Sequence, residues 1–206
     1  MSKLDIYTGG PVETHGYILH SEQNSSEVLV IDAPEGIADH LKKQGLKAKF
    51  LLITHQHYDH VGDAAKLQEA GAEIISYQDY SKQLTLEAYG LPFNIKAFKV
   101  DQLVTDKEVV TLTNEWSFAV AWVPGHATDH ITFYQQAQDR IFCGDTLFTG
   151  SIGRTDLPGG SHEQLTSKIS EHILILPSET VTYPGHGPSS TIAQETASNP
   201  YFKESF

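Results

Sequence analysis

The sequence predicts an α/β (α+β) fold: two mixed sheets packed face to face, with helices outside. Three observations lead there. In the first half, apolar β-type runs alternate with helical stretches, the pattern of parallel strands joined by crossovers. In the second half, β-type runs follow one another across short polar turns, the pattern of a meander. Each half also carries helices able to cover a sheet. The 206 residues suffice for one domain spanning 1–206 with a sizeable core.

Leu4–Tyr7 and Tyr17–Leu19 are the first β-type runs. Val28–Ile31 is apolar without a break, which marks a strand buried on both faces. Pro34 fits the first turn of a helix, where no amide is needed, and that helix runs to about Gln44, with Gly45 ending it. Phe50–Ile53 is a second buried strand. Asp63–Ala70 reads as a helix stopped by Gly71, and Glu73–Ser76 as the next strand. Lys107–Leu112, Trp116–Val123, Ile131–Tyr134 and Arg140–Cys143 are consecutive strands, the last two joined by the polar turn Gln135–Asp139. Ser161 is a plausible N-cap for a helix reaching about Leu174. Thr180–Tyr183 is the last strand and Thr191–Ala197 the closing helix.

The net charge of −12 repels phosphate backbones and disfavours sequence-independent nucleic-acid binding. A single cysteine, Cys143, excludes an intrachain disulfide. No apolar run reaches membrane-spanning length, and the start Met1-Ser2-Lys3-Leu4-Asp5 lacks the pattern of a secretory leader. The expectation is a soluble, cytoplasmic protein, monomeric or weakly homo-oligomeric, with no membrane partner. Only Arg140 and Arg154 are arginines among 14 basic residues, so each guanidinium is a candidate for a specific task.

Chemistry concentrates in Thr54-His55-Gln56-His57-Tyr58-Asp59-His60, three histidines and a carboxylate within six residues. Imidazole nitrogens and carboxylate oxygens are the ligands of borderline metals such as zinc. Three further β-type runs end in a turn bearing a potential ligand: Val123 into Pro124-Gly125-His126, Cys143 into Gly144-Asp145, and Tyr183 into Pro184-Gly185-His186. Glycine beside each ligand permits unusual backbone angles. Seven ligands exceed one tetrahedral zinc and suit two metals with one shared group. A carboxylate can bridge, so Asp145 is the natural shared ligand. His55 and His57, two apart on an extended segment, face the same way and would pair with His126. Asp59 and His60 would pair with His186. His15, His20, His40, His130, His162 and His172 are not expected as ligands, although His15 could reach the rim of the site. Cys143 reads as core.

These residues resemble the metallo-β-lactamase superfamily, and within it the small glyoxalase II-like (hydroxyacylglutathione hydrolase-like) hydrolases. The HxHxDH motif is His55 to His60, and the later ligands His126, Asp145 and His186 follow in order. Gly144 to Asp156, Pro184 to Pro188 and Asn199-Pro200-Tyr201 are also similar to that subgroup. The resemblance implies a four-layer αβ/βα sandwich with two divalent metal ions, zinc first, iron or manganese as alternatives. It implies hydrolysis of a thioester, S-lactoylglutathione or a related hydroxyacyl thioester, by a metal-bridging hydroxide. Asp59 would ligate one metal and orient the nucleophile. Larger relatives continue into a helical C-terminal domain that contacts glutathione, whereas this chain ends about twenty residues after His186. Arg154 matches the basic position that holds the glutathione moiety. It either pairs with a substrate carboxylate or forms an internal ion pair with Asp156 or Asp59. Competing expectations are a mononuclear iron persulfide dioxygenase of the same fold and a non-catalytic metal-binding module. A β-lactamase and a nuclease are disfavoured.

Overall fold

The computed structural model describes residues 3–90 and 92–203. The chain divides into two compact units, Met1–Val104 and Thr105–Phe206.

The first unit contains β1 (Leu4–Gly9), β2 (Thr14–His20), β3 (Glu27–Ile31), α1 (Ile37–Lys43), β4 (Lys47–Leu52), α2 (Ala64–Glu69), β5 (Glu73–Ser76) and β6 (Gln102–Leu103). Its strands form one six-stranded sheet in sequence order. β1, β2 and β3 pair antiparallel, and β3 to β6 pair parallel. Parallel neighbours need crossovers, and α1 and α2 supply two of them. Val28, Val30, Leu51, Ile53 and Ile74 pack with Ile37, Leu41, Ala64 and Leu67 of the helices. The alternate residues Leu29, Ile31, Leu52 and Ile75 are equally buried. Both faces are dry, which is why these strands read as unbroken apolar runs. Each such side chain contributes about 1.5–3 kcal/mol through burial.

Helix α1 begins at Ile37 rather than at Pro34. Asp63 decides this: its Oδ2 accepts from the amides of Gly36 and Ala38 at 2.8 and 3.1 Å, a cap supplied from 27 residues downstream. Gly45 and Gly71 end the two helices at φ 68° and 100°, and the amides of Leu46 and Ala72 reach back to the carbonyls of Leu41 and Leu67. That reach requires a left-handed residue, which glycine adopts without penalty.

The second unit contains β7 (Val109–Thr111), β8 (Ser117–Trp122), β9 (Ile131–Gln135), β10 (Arg140–Gly144), the hairpin of β11 (Leu147–Phe148) and β12 (Ser151–Ile152), α3 (His162–His172), β13 (Val181–Pro184), β14 (Ser190–Thr191) and α4 (Ile192–Ser198). The main sheet runs β14-β13-β10-β9-β8-β7. β7 to β10 form the expected antiparallel meander, and β13 joins β10 in parallel after α3. Ser161 accepts from the Gln164 amide at 3.3 Å, the expected cap of α3. Leu165, Ile169 and Ile173, four apart, pack with Val123, Ile141 and Cys143. Both units are mixed sheets with helices, as the sequence predicts. β6, β11, β12 and β14 escape the sequence pattern because two residues contain no period. Arg140 proves structural: its Nε donates to Gln135 Oε1 at 2.7 Å, its guanidinium lies over Phe142, and burial lowers its pKa.

Candidate metal centre

In the first unit, β4 delivers Thr54 to His60 at its C-terminal end. His55, His57 and His60 are buried, and Asp59 is half-buried. The His55 ring lies 4.5 Å from that of His57 and 4.1 Å from that of His60, centroid to centroid. Asp59 Oδ2 stands 3.4 Å from His60 Nε2. The four groups singled out in the sequence therefore converge here.

Asp32, where β3 ends, organises them and was not among the sequence candidates. Its Oδ1 accepts from the Thr54 amide at 2.8 Å, and its Oδ2 accepts from the Thr54 hydroxyl at 2.7 Å and from His60 Nδ1 at 2.8 Å. With Nδ1–H committed to a carboxylate, His60 turns the lone pair of Nε2 toward the other donors. The Thr54 hydroxyl, having donated to Asp32, accepts from His55 Nδ1 at 3.2 Å, so His55 also presents Nε2. Thr14 on β2 donates to Asp59 Oδ2 at 2.7 Å. A signal for Asp32 existed: an apolar strand, Val28–Ile31, running into an acidic residue, the same form that marks Asp145.

In the second unit, His126, Asp145 and His186 follow β8, β10 and β13. Asp145 Oδ2 lies 3.5 Å from His126 Nε2 and 3.4 Å from His186 Nε2. One carboxylate oxygen is thus about equally far from the two imidazoles. His126 Nδ1 donates to the Arg154 carbonyl at 2.9 Å, which again leaves Nε2 as the acceptor. His130, outside the candidate set, accepts the Asp145 amide through Nε2 at 2.9 Å. Gly125 and Gly144 have φ of 122° and 49°. Gly185 serves differently, without a positive φ: its amide donates to the Gly144 carbonyl at 2.8 Å and ties the His186 turn to the Asp145 turn. A Cβ on Gly153 would lie 1.9 Å from the Asp145 carbonyl oxygen, so that contact excludes any side chain.

Arg154 grips Asp156 with two hydrogen bonds, Nε–H to Oδ1 and Nη2–H to Oδ2, both 2.8 Å. These bonds pull the Asp156 carboxyl down to about 2. Asp156 is thus the partner in the internal ion pair. His15 lies on β2 with Nδ1 2.9 Å from the Thr8 hydroxyl. Cys143 is core, and burial pushes its thiol pKa up.

Both units carry clustered histidine and carboxylate donors of the kind that hold metal ions. Imidazoles anchored at Nδ1, with carboxylate oxygens beside them, fit a borderline divalent ion: zinc, iron or manganese. Mixed sheets flanked by helices, with such donors at strand ends, define a metal-binding α/β protein.

The chain belongs to the metallo-β-lactamase superfamily, whose family model matches residues 11–188. It is similar to the hydroxyacylglutathione hydrolase GloC of Haemophilus influenzae, 35% identical over 191 residues covering 89% of this chain and 90% of that one. Among solved structures, it is similar to the BLEG-1 B3 metallo-β-lactamase, with TM-score 0.88, 30% identity and coverage of 97% and 99% of the two chains. It is also similar to TTHA1623 in a di-iron-bound form, with TM-score 0.80, 31% identity and coverage of 96% and 99%. No helix among the described residues is long and apolar enough to cross a membrane.

Proposed function

We propose that this protein is a metal-dependent thioester hydrolase of the glyoxalase II type, acting on S-lactoylglutathione or a related hydroxyacyl thioester. The observation that carries the reading is the full set of seven donors, four in the first unit and three in the second, with the imidazoles of His55, His60 and His126 oriented by anchored Nδ1 atoms. The 35% identity with GloC supports the substrate class. In this reading residues 1–206 act as one domain, and the donors join in one binuclear centre. His55, His57 and His126 would hold one ion and Asp59, His60 and His186 the other, with Asp145 available to both. The enzyme would be cytoplasmic, monomeric or weakly oligomeric, with no membrane or nucleic-acid partner.

Two divalent ions, zinc in this reading, would supply an acidified water and Lewis-acid polarisation of the thioester carbonyl. The chain supplies orientation. Asp32, Thr54 and the Arg154 carbonyl hold His60, His55 and His126 in single tautomers, so that little reorganisation accompanies reaction. Asp59, steadied by Thr14, accepts a hydrogen bond from the attacking water and sets its direction. Arg154 exchanges Asp156 for a carboxylate of the thiol carrier, a bidentate pairing of the same form. No serine or cysteine nucleophile is used.

The test is hydrolysis of S-D-lactoylglutathione before and after chelation and zinc restoration. Chelator-sensitive, zinc-restored turnover is expected. Fully metallated protein without turnover would sink the substrate assignment. The likeness to BLEG-1 favours β-lactam hydrolysis as a second reading, and nitrocefin turnover exceeding thioester turnover would select it. The di-iron form of TTHA1623 makes iron the alternative metal.

A further inference from the structure

Glu195 on α4 is fully buried. Its Oε1 accepts the hydroxyl of Ser190, and its Oε2 accepts the Gly150 amide at 2.9 Å and Asn199 Nδ2 at 2.8 Å. Asn199, which caps the end of α4, donates from the same nitrogen to the Ser151 carbonyl at 3.0 Å. Glu195 and Asn199 thereby grasp Gly150 and Ser151 at the tip of the β11–β12 hairpin. The neighbouring tip residue, Thr149, donates to the Pro188 carbonyl at 2.8 Å, just beyond His186.

The stem of this hairpin carries or touches all three donors of the second unit. Asp145 lies two residues before β11, and the Gly153 amide closes the stem on the Thr146 carbonyl at 3.0 Å. Arg154, after β12, gives its carbonyl to His126. Phe148 meets His186 edge-on at 6.2 Å between centroids. A buried carboxylate is expensive to desolvate, and an apolar side chain would pack α4 as well. What an apolar side chain lacks is three acceptor directions fixed on the hairpin tip and its neighbours.

We infer that Glu195, with Asn199, is a positioning residue of the metal centre: it places the hairpin and, through it, Asp145, His126 and His186. This rests on the reading of those three as metal ligands.

The experiment uses the full chain, stripped of metal and titrated with cobalt(II). Its visible spectrum reports ligand geometry, and competition with a chelator reports affinity. Glu195→Met keeps length and apolar bulk and removes every acceptor. Glu195→Gln keeps one strong acceptor and can reverse its bond with Ser190. Thr149→Val removes only the link to Pro188 at a half-buried site. The expected result is an altered cobalt spectrum and about tenfold weaker binding for Glu195→Met. Partial recovery in Glu195→Gln is expected, with a smaller spectral change for Thr149→Val at nearly unchanged thermal stability. If Glu195→Met does not fold, the other two variants carry the test. Variants that unfold at lower temperature yet keep the wild-type spectrum and affinity overturn the inference, since Glu195 would then be a buttress only. Wild-type protein that takes up no cobalt overturns the ligand assignment itself, and the inference with it.

Discussion

Replacing Asp32 by Asn isolates what the buried carboxylate does. Asp32 sits at φ 58°, a conformation asparagine accepts as readily, so the backbone is not the variable. The carboxylate takes three hydrogen bonds on two oxygens. A carboxamide has one oxygen and one NH2 group. With its oxygen facing His60 and the Thr54 hydroxyl, the NH2 confronts the Thr54 amide and leaves a buried donor unsatisfied, at a cost of about 1–3 kcal/mol. Rotated, the NH2 confronts His60, which must then accept at Nδ1 and carry its proton on Nε2, losing its capacity as a ligand. Neither orientation keeps both functions. Metal affinity at the His60 site should fall about 10- to 100-fold, about 1.4–2.7 kcal/mol. The metal-free protein should melt lower by about 2–4 °C for each kcal/mol lost. Zinc competition against a chromophoric chelator and thermal unfolding of the stripped protein measure the two quantities. An asparagine variant with wild-type affinity for both ions and an unshifted melting temperature would refute the argument that Asp32 sets the His60 tautomer.

Asp145→Asn should lose metal and activity together, measured by metal analysis alongside turnover. Full activity at unchanged metal content would remove its role as shared ligand. Gly153→Ala forces a Cβ into the space of the Asp145 carbonyl oxygen and should destabilise by about 1–3 kcal/mol while weakening metal uptake. An unshifted melting temperature in calorimetry would mean the hairpin has slack. Asp156, held by Arg154, has a folded pKa of about 2, below the unfolded value of about 3.9. Its contribution to stability is therefore present above the unfolded pKa and is lost as pH falls through about 2, and exposure of both partners keeps it small and salt-sensitive. In Arg154→Ala the Asp156 carboxyl should titrate near the ordinary carboxylate value by NMR. No change between the two proteins would exclude the pair.

The sequence alone determined the burial pattern and the candidate ligands, because both are written in local order. Val28–Ile31 reads as a doubly buried strand from four apolar residues in a row. The motif from His55 to His60, and each later donor just past a β-type run, likewise stand within a few positions of their signal. Tertiary structure decided the partners. The start of α1 waits on Asp63, the tautomers of His55 and His60 depend on Asp32 and Thr54, and that of His126 depends on the Arg154 carbonyl. Glu195 lies within the predicted closing helix and Asn199 just beyond it, and nothing in their local sequence signals the hairpin tip they hold. Asp156 and Asp59 are equally available to Arg154 as ion-pair partners in the sequence, and the fold pairs it with Asp156. The physical reason is the range of each signal. Apolar burial repeats with the period of its own element, so it can be read along the chain. A hydrogen bond joins whichever groups the strand register brings within about 3 Å, and that pairing is settled only when the sheets have formed.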